Sequence, residues 1–224
     1  MICVLDLDGT LIDSFARHGL LLEELLQKYA VDAHVRTADY MEYKRSGNNN
    51  YKYLTERLGL PEAAACKICR EWIQRIEDPF WLQYDKLYDD ALSFLRLVKL
   101  HGDEIIFLSA RHNDASAYDE VIRLGISQYA ADIDFVSQFA KYSTKTACIK
   151  HLLSVSARPP LSALPKCDII VIGDTEDEFN AALANQVPSL ILSRGFRSSE
   201  YLTKTLKISK CFTNLTEVSK KIYE

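Results

Sequence analysis

Asp6 and Asp8 stand two residues apart directly after the apolar run Ile2–Leu5, and Gly9-Thr10 follows at once. Like charges so close repel, and one of the two pKa values rises. A chain tolerates that pair where a cation or a reaction uses it. The arrangement suits a carboxylate nucleophile assisted by a cation, with a second carboxyl beside it as acid and base. Asp13 and Ser14, a few residues on, read as helix N-cap candidates. Asp6 does not, because it lies inside the apolar strand.

Three later segments carry polar groups at comparable places. Phe107-Leu108-Ser109-Ala110-Arg111 ends an apolar run in a hydroxyl. Lys145 or Lys141 lies near a helix start; Ser143-Thr144 before it, with Ile149 and Leu152 at helical spacing after it, favours Lys145. Ile172-Gly173-Asp174-Thr175-Glu176-Asp177-Glu178 ends an apolar run in an acidic cluster, in which Thr175-x-x-Glu178 also fits a capping box. All four segments sit at, or just beyond, the C-terminal ends of expected strands, the edge along which open α/β sheets bind ligands.

The elements that must hold these residues are strands at Ile2–Leu5, Ile105–Leu108, Ile133–Val136, Ile169–Ile172 and Ser189–Leu192. Helical patterns at Asp90–Leu100, Ala115–Leu124 and Thr144–Val155 alternate with them, and Gly102 and Gly125 mark C-caps of the first two. Such alternation implies an α/β fold, a Rossmann-like, mainly parallel sheet flanked by helices. Between Asp13 and about Tyr84 the pattern is helical instead: Ser14–Ala30, Thr37–Ser46, Asn50–Leu58 and Pro61–Ile76, with Pro61 as a first helical residue. The expected organisation is a core of residues 1–14 and 85–224 with an all-helical cap of residues 15–84 inserted. Ser154–Lys166, rich in proline, reads as a surface loop.

Bulk properties narrow the partners. With 224 residues, 48% of them hydrophobic, the chain can bury a sizeable core. A net charge of −4 speaks against broad nucleic-acid binding. No apolar run approaches the ~18 residues of a membrane span, and the first residues read as a strand rather than a secretion signal. The expectation is a cytoplasmic protein, monomer or homodimer, without membrane or nucleic-acid partners. Its cysteines (Cys3, Cys66, Cys69, Cys148, Cys167 and Cys211) are then expected to be reduced, and Cys66-x-x-Cys69 alone is no zinc site. Trp72 and Trp81 read as packing residues of the helical segment.

In order and spacing, the four segments resemble the motifs of the haloacid dehalogenase superfamily. The opening Asp6-Leu7-Asp8-Gly9-Thr10-Leu11-x-Asp13-Ser14 is the most specific part, and the resemblance spans nearly the whole chain. It is similar to the phosphoglycolate phosphatase-like branch, whose helical cap is inserted soon after the first motif. The resemblance implies a magnesium-dependent phosphatase that hydrolyses a small phosphorylated metabolite through an aspartyl-phosphate. Asp6 would be the nucleophile and Asp8 the acid and base. Ser109, Ala110 and Lys145 would bind the phosphoryl group. Mg²⁺ would be held by Asp6, the Asp8 backbone carbonyl and Asp174. Glu178 stands where the family usually has a second aspartate, and is expected to support the metal ligands from behind. Substrate choice is expected from the Lys44–Asn50 segment, through Arg45, Asn48 and Asn49, and from Arg111; exposure is the simpler reading for His112. A sugar-phosphate mutase with the same intermediate and a silent binding module keeping the fold are the alternatives. A phosphonatase, with Lys44 as its imine-forming lysine, is a further one.

Overall fold

Each of the five apolar runs becomes a strand of one parallel sheet in the computed structural model, which describes residues 1–137, 140–156 and 168–224. Strand β1 (Ile2–Leu5) leads into a short β2 (Ile12–Asp13). The chain then leaves the sheet through α1 (Phe15–Lys28), α2 (Thr37–Arg45), α3 (Asn50–Lys52), α4 (Glu62–Arg75) and α5 (Pro79–Leu82). It returns as β3 (Lys86–Leu87), antiparallel to β2. After that α6 (Ala91–Leu100), β4 (Glu104–Ala110), α7 (Asp114–Arg123), β5 (Asp132–Val136), α8 (Lys145–Ser156), β6 (Ile169–Gly173), α9 (Glu176–Asn185) and β7 (Ser189–Ile191) alternate. Helices α10 (Ser199–Leu206) and α11 (Leu215–Tyr223) follow.

The strand order is β5-β4-β1-β6-β7. The connections run outward on both sides of β1, so β1 lies at the topological switch point where ligands bind in such sheets. Leu5 pairs in register with Phe107 of β4 and Ile172 of β6, which brings Asp6, Ser109 and Asp174 out at one edge. The period of two divides the strands between two cores. Cys3, Leu5, Phe107 and Ile172 pack with α6, α7 and α11, while Val4, Leu108 and Val171 pack with α8 and α9. Burial on both faces explains why the strands read as unbroken apolar runs.

The helices between β2 and β3 bury a third cluster of their own, in which Leu21, Leu22, Leu25 and Leu26 of α1 meet Tyr40, Leu54, Ile68 and Trp81. Three details differ from the sequence reading. The helix expected over Asn50–Leu58 ends its α-form at Lys52 and continues as a π-turn over Tyr53–Arg57. There the Thr55 hydroxyl bonds back to Tyr51 O at 3.0 Å, a local bond that competes with the regular ladder. Pro61 is the N-cap of α4, with an extended ψ of 143°, not its first helical residue. The expected Ser154–Lys166 loop begins as the last turn of α8, and residues 157–167, Cys167 among them, lie outside the described residues. Among the described residues no helix is long and apolar enough to cross a membrane, and the described cysteines are free thiols.

Leu22 is fully buried in the α1–α5 cluster. Leu22→Ala should cost about 2–5 kcal/mol of stability in urea denaturation. A loss under about 1 kcal/mol would contradict a close-packed core in this helical unit.

Candidate active site

Two charge clusters meet beyond the C-terminal end of β1. The first is built on Asp6, which is buried and whose N–H extends the ladder to Ile172 O at 3.0 Å. Lys145 Nζ lies 2.6 Å from Asp6 Oδ1 and also donates to Glu178 Oε1. The other Glu178 oxygen accepts from the Thr175 N–H (2.9 Å) and hydroxyl (2.7 Å), closing the capping box of α9. Asp174, fully buried, accepts the Phe196 N–H on Oδ2 at 2.5 Å.

Local sequence explains these placements. The Thr144 hydroxyl accepts the Ala147 N–H at 3.2 Å and so fixes Lys145 as the first residue of α8. Gly9, with φ of +76°, and Gly195 clear the space around Asp174: a Cβ on either would come within 2.3 Å or 2.0 Å of Asp174 Oδ2. Asp6, Asp174 and Glu178 can each bring an oxygen within 4.8 Å of the others.

Burial pushes Asp6 up to about 6, against the pull of Lys145 and with the help of Glu178. Burial, then the charges of Asp6 and Glu178, push Asp174 well above the usual carboxylate range. Glu178 is held low in spite of burial, because Lys145 and the Thr175 donors favour its charge. Lys145, also buried, is raised by Asp6 and Glu178. Three carboxylates share one lysine, so with all ionised the cluster lacks the charge of one divalent cation. Its all-oxygen donor set suits a hard divalent cation.

The second cluster surrounds Asp8. Arg17 Nη2 lies 2.8 Å from Asp8 Oδ1, and Arg111 Nη2 lies 2.9 Å from Oδ2. Arg111 Nη2 also meets Glu120 Oε2 at 2.8 Å, and Arg17 Nε meets Asp85 Oδ2 at 3.3 Å. Burial would raise Asp8, but Arg111 and Arg17 outweigh it and hold the carboxylate below its usual range. Burial pushes Asp85 up to about 9, against Arg17 and with Asp8 and Glu120 adding to it. Two buried donors, Arg111 Nε and Nη1, have no hydrogen-bond partner among the described residues.

Between the clusters lies a cavity of about 250 Å³. Asp6, Asp8, Ser109, Ala110, Arg111, Lys145, Asp174 and Glu178, all expected site residues, line it together. Of the two candidate lysines, Lys145 lines this cavity, whereas Lys141 is exposed and lies over the Tyr142 ring at 4.7 Å. His112 is exposed, and its backbone N–H donates to Glu77 at 2.8 Å. Past His18, Trp72 and Phe196 the space opens into a second cavity of about 470 Å³. Asn48 and Asn49 line that one, though their side chains already serve the backbone: Asn48 donates to Tyr43 O at 3.2 Å and Asn49 caps α3.

Arg45 is a correction. It lines neither cavity, because its side chain turns from the end of α2 to Ser193 O at 2.6 Å and ties α2 to the segment after β7. Trp81 packs in the helical cluster and Trp72 packs against it, as expected; Trp72 also walls both cavities and donates Nε1–H to His18 O at 3.4 Å. Sequence reasoning missed Arg17, His18, Asp85, Glu120 and Phe196. Arg17 carried a signal, since it precedes Leu21 and Leu25 at four-residue spacing and so puts a charge on the buried stripe of α1. Phe196 and Asp85 lie outside the helices and strands and gave none.

No protein-family model matches the chain, and no curated protein matches it in sequence. Solved structures do match in shape. A predicted phosphatase from Clostridium acetobutylicum covers 99% of this chain and 97% of its own, with 22% identity and a TM-score of 0.70. A haloacid dehalogenase-like family hydrolase from Streptococcus pneumoniae covers 99% and 97%, with 16% identity and a TM-score of 0.75. This chain has the haloacid dehalogenase-like fold. Protein tyrosine kinase A of Mycobacterium tuberculosis shares that fold at 18% identity and a TM-score of 0.69, covering 100% of this chain and 98% of its own. The fold therefore fixes where a site lies, and the side chains must say what it does.

A raised carboxyl pKa means that the folded state binds its proton more tightly than the unfolded chain, so ionisation of Asp6 destabilises the fold as pH rises through about 6. In metal-free buffer at pH 7.5, Asp6→Asn should be more stable than the parent by on the order of 2 kcal/mol. That advantage should shrink as pH falls from about 6 towards 4. A variant less stable at pH 7.5, or a pH-independent difference, would show that Asp6 is not strained by its charge.

Proposed function

We propose that the chain is a magnesium-dependent phosphatase that hydrolyses a small phosphorylated metabolite through an aspartyl-phosphate. The observation that carries this reading is Asp6. A buried carboxylate at the switch point of the sheet is oriented by Lys145 at 2.6 Å, with Asp174 and Glu178 in the same cluster. The helices between β2 and β3 act as the cap, residues 15–84, over the core of residues 1–14 and 85–224.

Asp6 attacks phosphorus, and the bond from phosphorus to the leaving oxygen breaks as that oxygen takes a proton from Asp8. Water then attacks the phosphorus, Asp8 takes its proton, and the bond to Asp6 breaks to release phosphate. Asp6, Asp174 and the Asp8 carbonyl would hold Mg²⁺, whose charge offsets the repulsion between Asp6 and an anionic ester. Glu178 steadies Lys145 and, as a carboxylate in the same cluster, adds to the demand for the cation. Ser109 and Ala110 line the place of the phosphoryl oxygens, and Lys145 balances their charge.

Asp8 needs more than its resting state supplies. Held between Arg17 and Arg111 it is ionised, which suits the base of the second step and not the acid of the first. The unpartnered N–H groups of Arg111 offer the resolution. A phosphate dianion entering the cavity competes with Asp8 for that guanidinium, weakens its hold and raises the affinity of Asp8 for a proton.

Phosphate release from p-nitrophenyl phosphate should require Mg²⁺. Asp6→Asn should lower turnover by at least ~10³-fold, the scale on which lost nucleophiles act. Equal, metal-independent release by parent and variant would refute the reading.

A further inference from the structure

The second cavity is almost twice the volume of the first, about 470 Å³ against 250 Å³, and joins it past His18, Trp72 and Phe196. A two- or three-carbon leaving group would leave most of it empty. Its entrance is aromatic: the His18 ring lies 5.0 Å from Trp72 and 4.7 Å from Phe196, centroid to centroid. Flat faces of this kind receive a planar body.

At Lys44 the cavity holds an amine that no carboxylate among the described residues pairs. The ammonium is 5.2 Å from the Trp72 and Phe196 ring centroids and 5.4 Å from that of Tyr40. Rings attract a cation but accept no strong hydrogen bond from it. Of its three donors, one meets His18 Nδ1 at 3.0 Å. That imidazole is neutral, since burial and then Lys44 and Arg17 push its pKa well below the ordinary value. No carboxylate among the described residues forms an ion pair with Lys44. The other cation of the lining, Arg197, is already matched by Glu176 through two bonds of 2.7 and 2.9 Å. Burial, with Arg197 and Arg17 adding, brings Lys44 down to about 7, and an anion would restore its charge. A single lysine suits a single negative charge.

We infer that the second cavity takes a ring-bearing leaving group whose far end carries a carboxylate, and that Lys44 binds this carboxylate and sets specificity. This rests on the phosphatase reading of the first cavity. The substrate is then a phosphate monoester of a hydroxylated, ring-containing acid.

The test compares 4-carboxyphenyl phosphate with its neutral isostere 4-carbamoylphenyl phosphate, in the presence of Mg²⁺. The parent protein should favour the carboxylate in kcat/KM by at least ~10-fold, the scale of one charge-assisted hydrogen bond. Lys44→Met should bring the ratio near one. Hydrolysis of both esters at equal efficiency by the parent overturns this inference and leaves the phosphatase reading standing; that result needs no variant. A ratio retained in Lys44→Met also overturns it. No release from either ester or from p-nitrophenyl phosphate overturns both readings.

Discussion

The constraint on which the site depends is the burial of Asp6, Asp174 and Glu178 around a single lysine. Isolated buried carboxylates cost several kcal/mol each, and proteins keep them only when paired, protonated or bound to metal. Much of the local architecture answers that cost. The helix start at Thr144 delivers Lys145, the capping box of α9 supplies two donors to Glu178, and the turn at Phe196 supplies one to Asp174. Gly9 and Gly195 give up their side chains so that Asp174 fits. What these devices leave uncompensated, with all three acids ionised, is a charge of −2, which one divalent cation would balance.

Asp6 and Asp8, two residues apart, meet opposite fates within one loop. Asp6 shares its lysine with another acid and is pushed up by burial; Asp8 meets two guanidiniums and is held down. Pairs of like groups separated in this way are how one site obtains two different acid–base roles. The arginines are in turn met by Asp85 and Glu120, so buried acids and guanidiniums alternate around Asp8. Arg17 belongs to α1 and Asp85 to the return towards β3, whereas Arg111 and Glu120 follow β4. Buried pairs of this kind add little net stability, yet breaking one costs several kcal/mol. The network therefore acts less as glue than as a constraint on where α1 sits relative to the sheet edge.

The sheet was legible because its strands are buried on both faces and so stand out as apolar runs; Ile2–Leu5 matches to the residue. Lys145 was legible from the capping residues before it, and Glu178 from its spacing to Thr175. Arg45 was misread for the opposite reason. Its sequence neighbours, Asn48 and Asn49, do face a cavity, but at the end of a helix a long side chain can turn either way, and Arg45 found a carbonyl across the fold. Strands β2 and β3, two residues each, are too short for any period, and exist because the chain must leave and re-enter the core at one place. Phe196 is placed entirely by tertiary contacts: its backbone serves Asp174 while its ring packs on His18.

Arg17 and His18 are neighbours in sequence; both line the first cavity, and His18 also lines the second. Consecutive residues on an α-helix point about 100° apart. Arg17 accordingly reaches Asp8 at the chemical end, while His18 turns to Lys44 and to the rings that wall the second cavity. One turn of α1 thus carries both the group that holds Asp8 and the group that meets Lys44. A rigid helix cannot move one without the other. On the reading proposed above, a ligand drawing His18 and Lys44 towards its far end would also shift the guanidinium that holds Asp8. Under that reading, recognition in the helical unit and proton transfer at the sheet edge would be joined by a single element, with no longer pathway than one peptide bond.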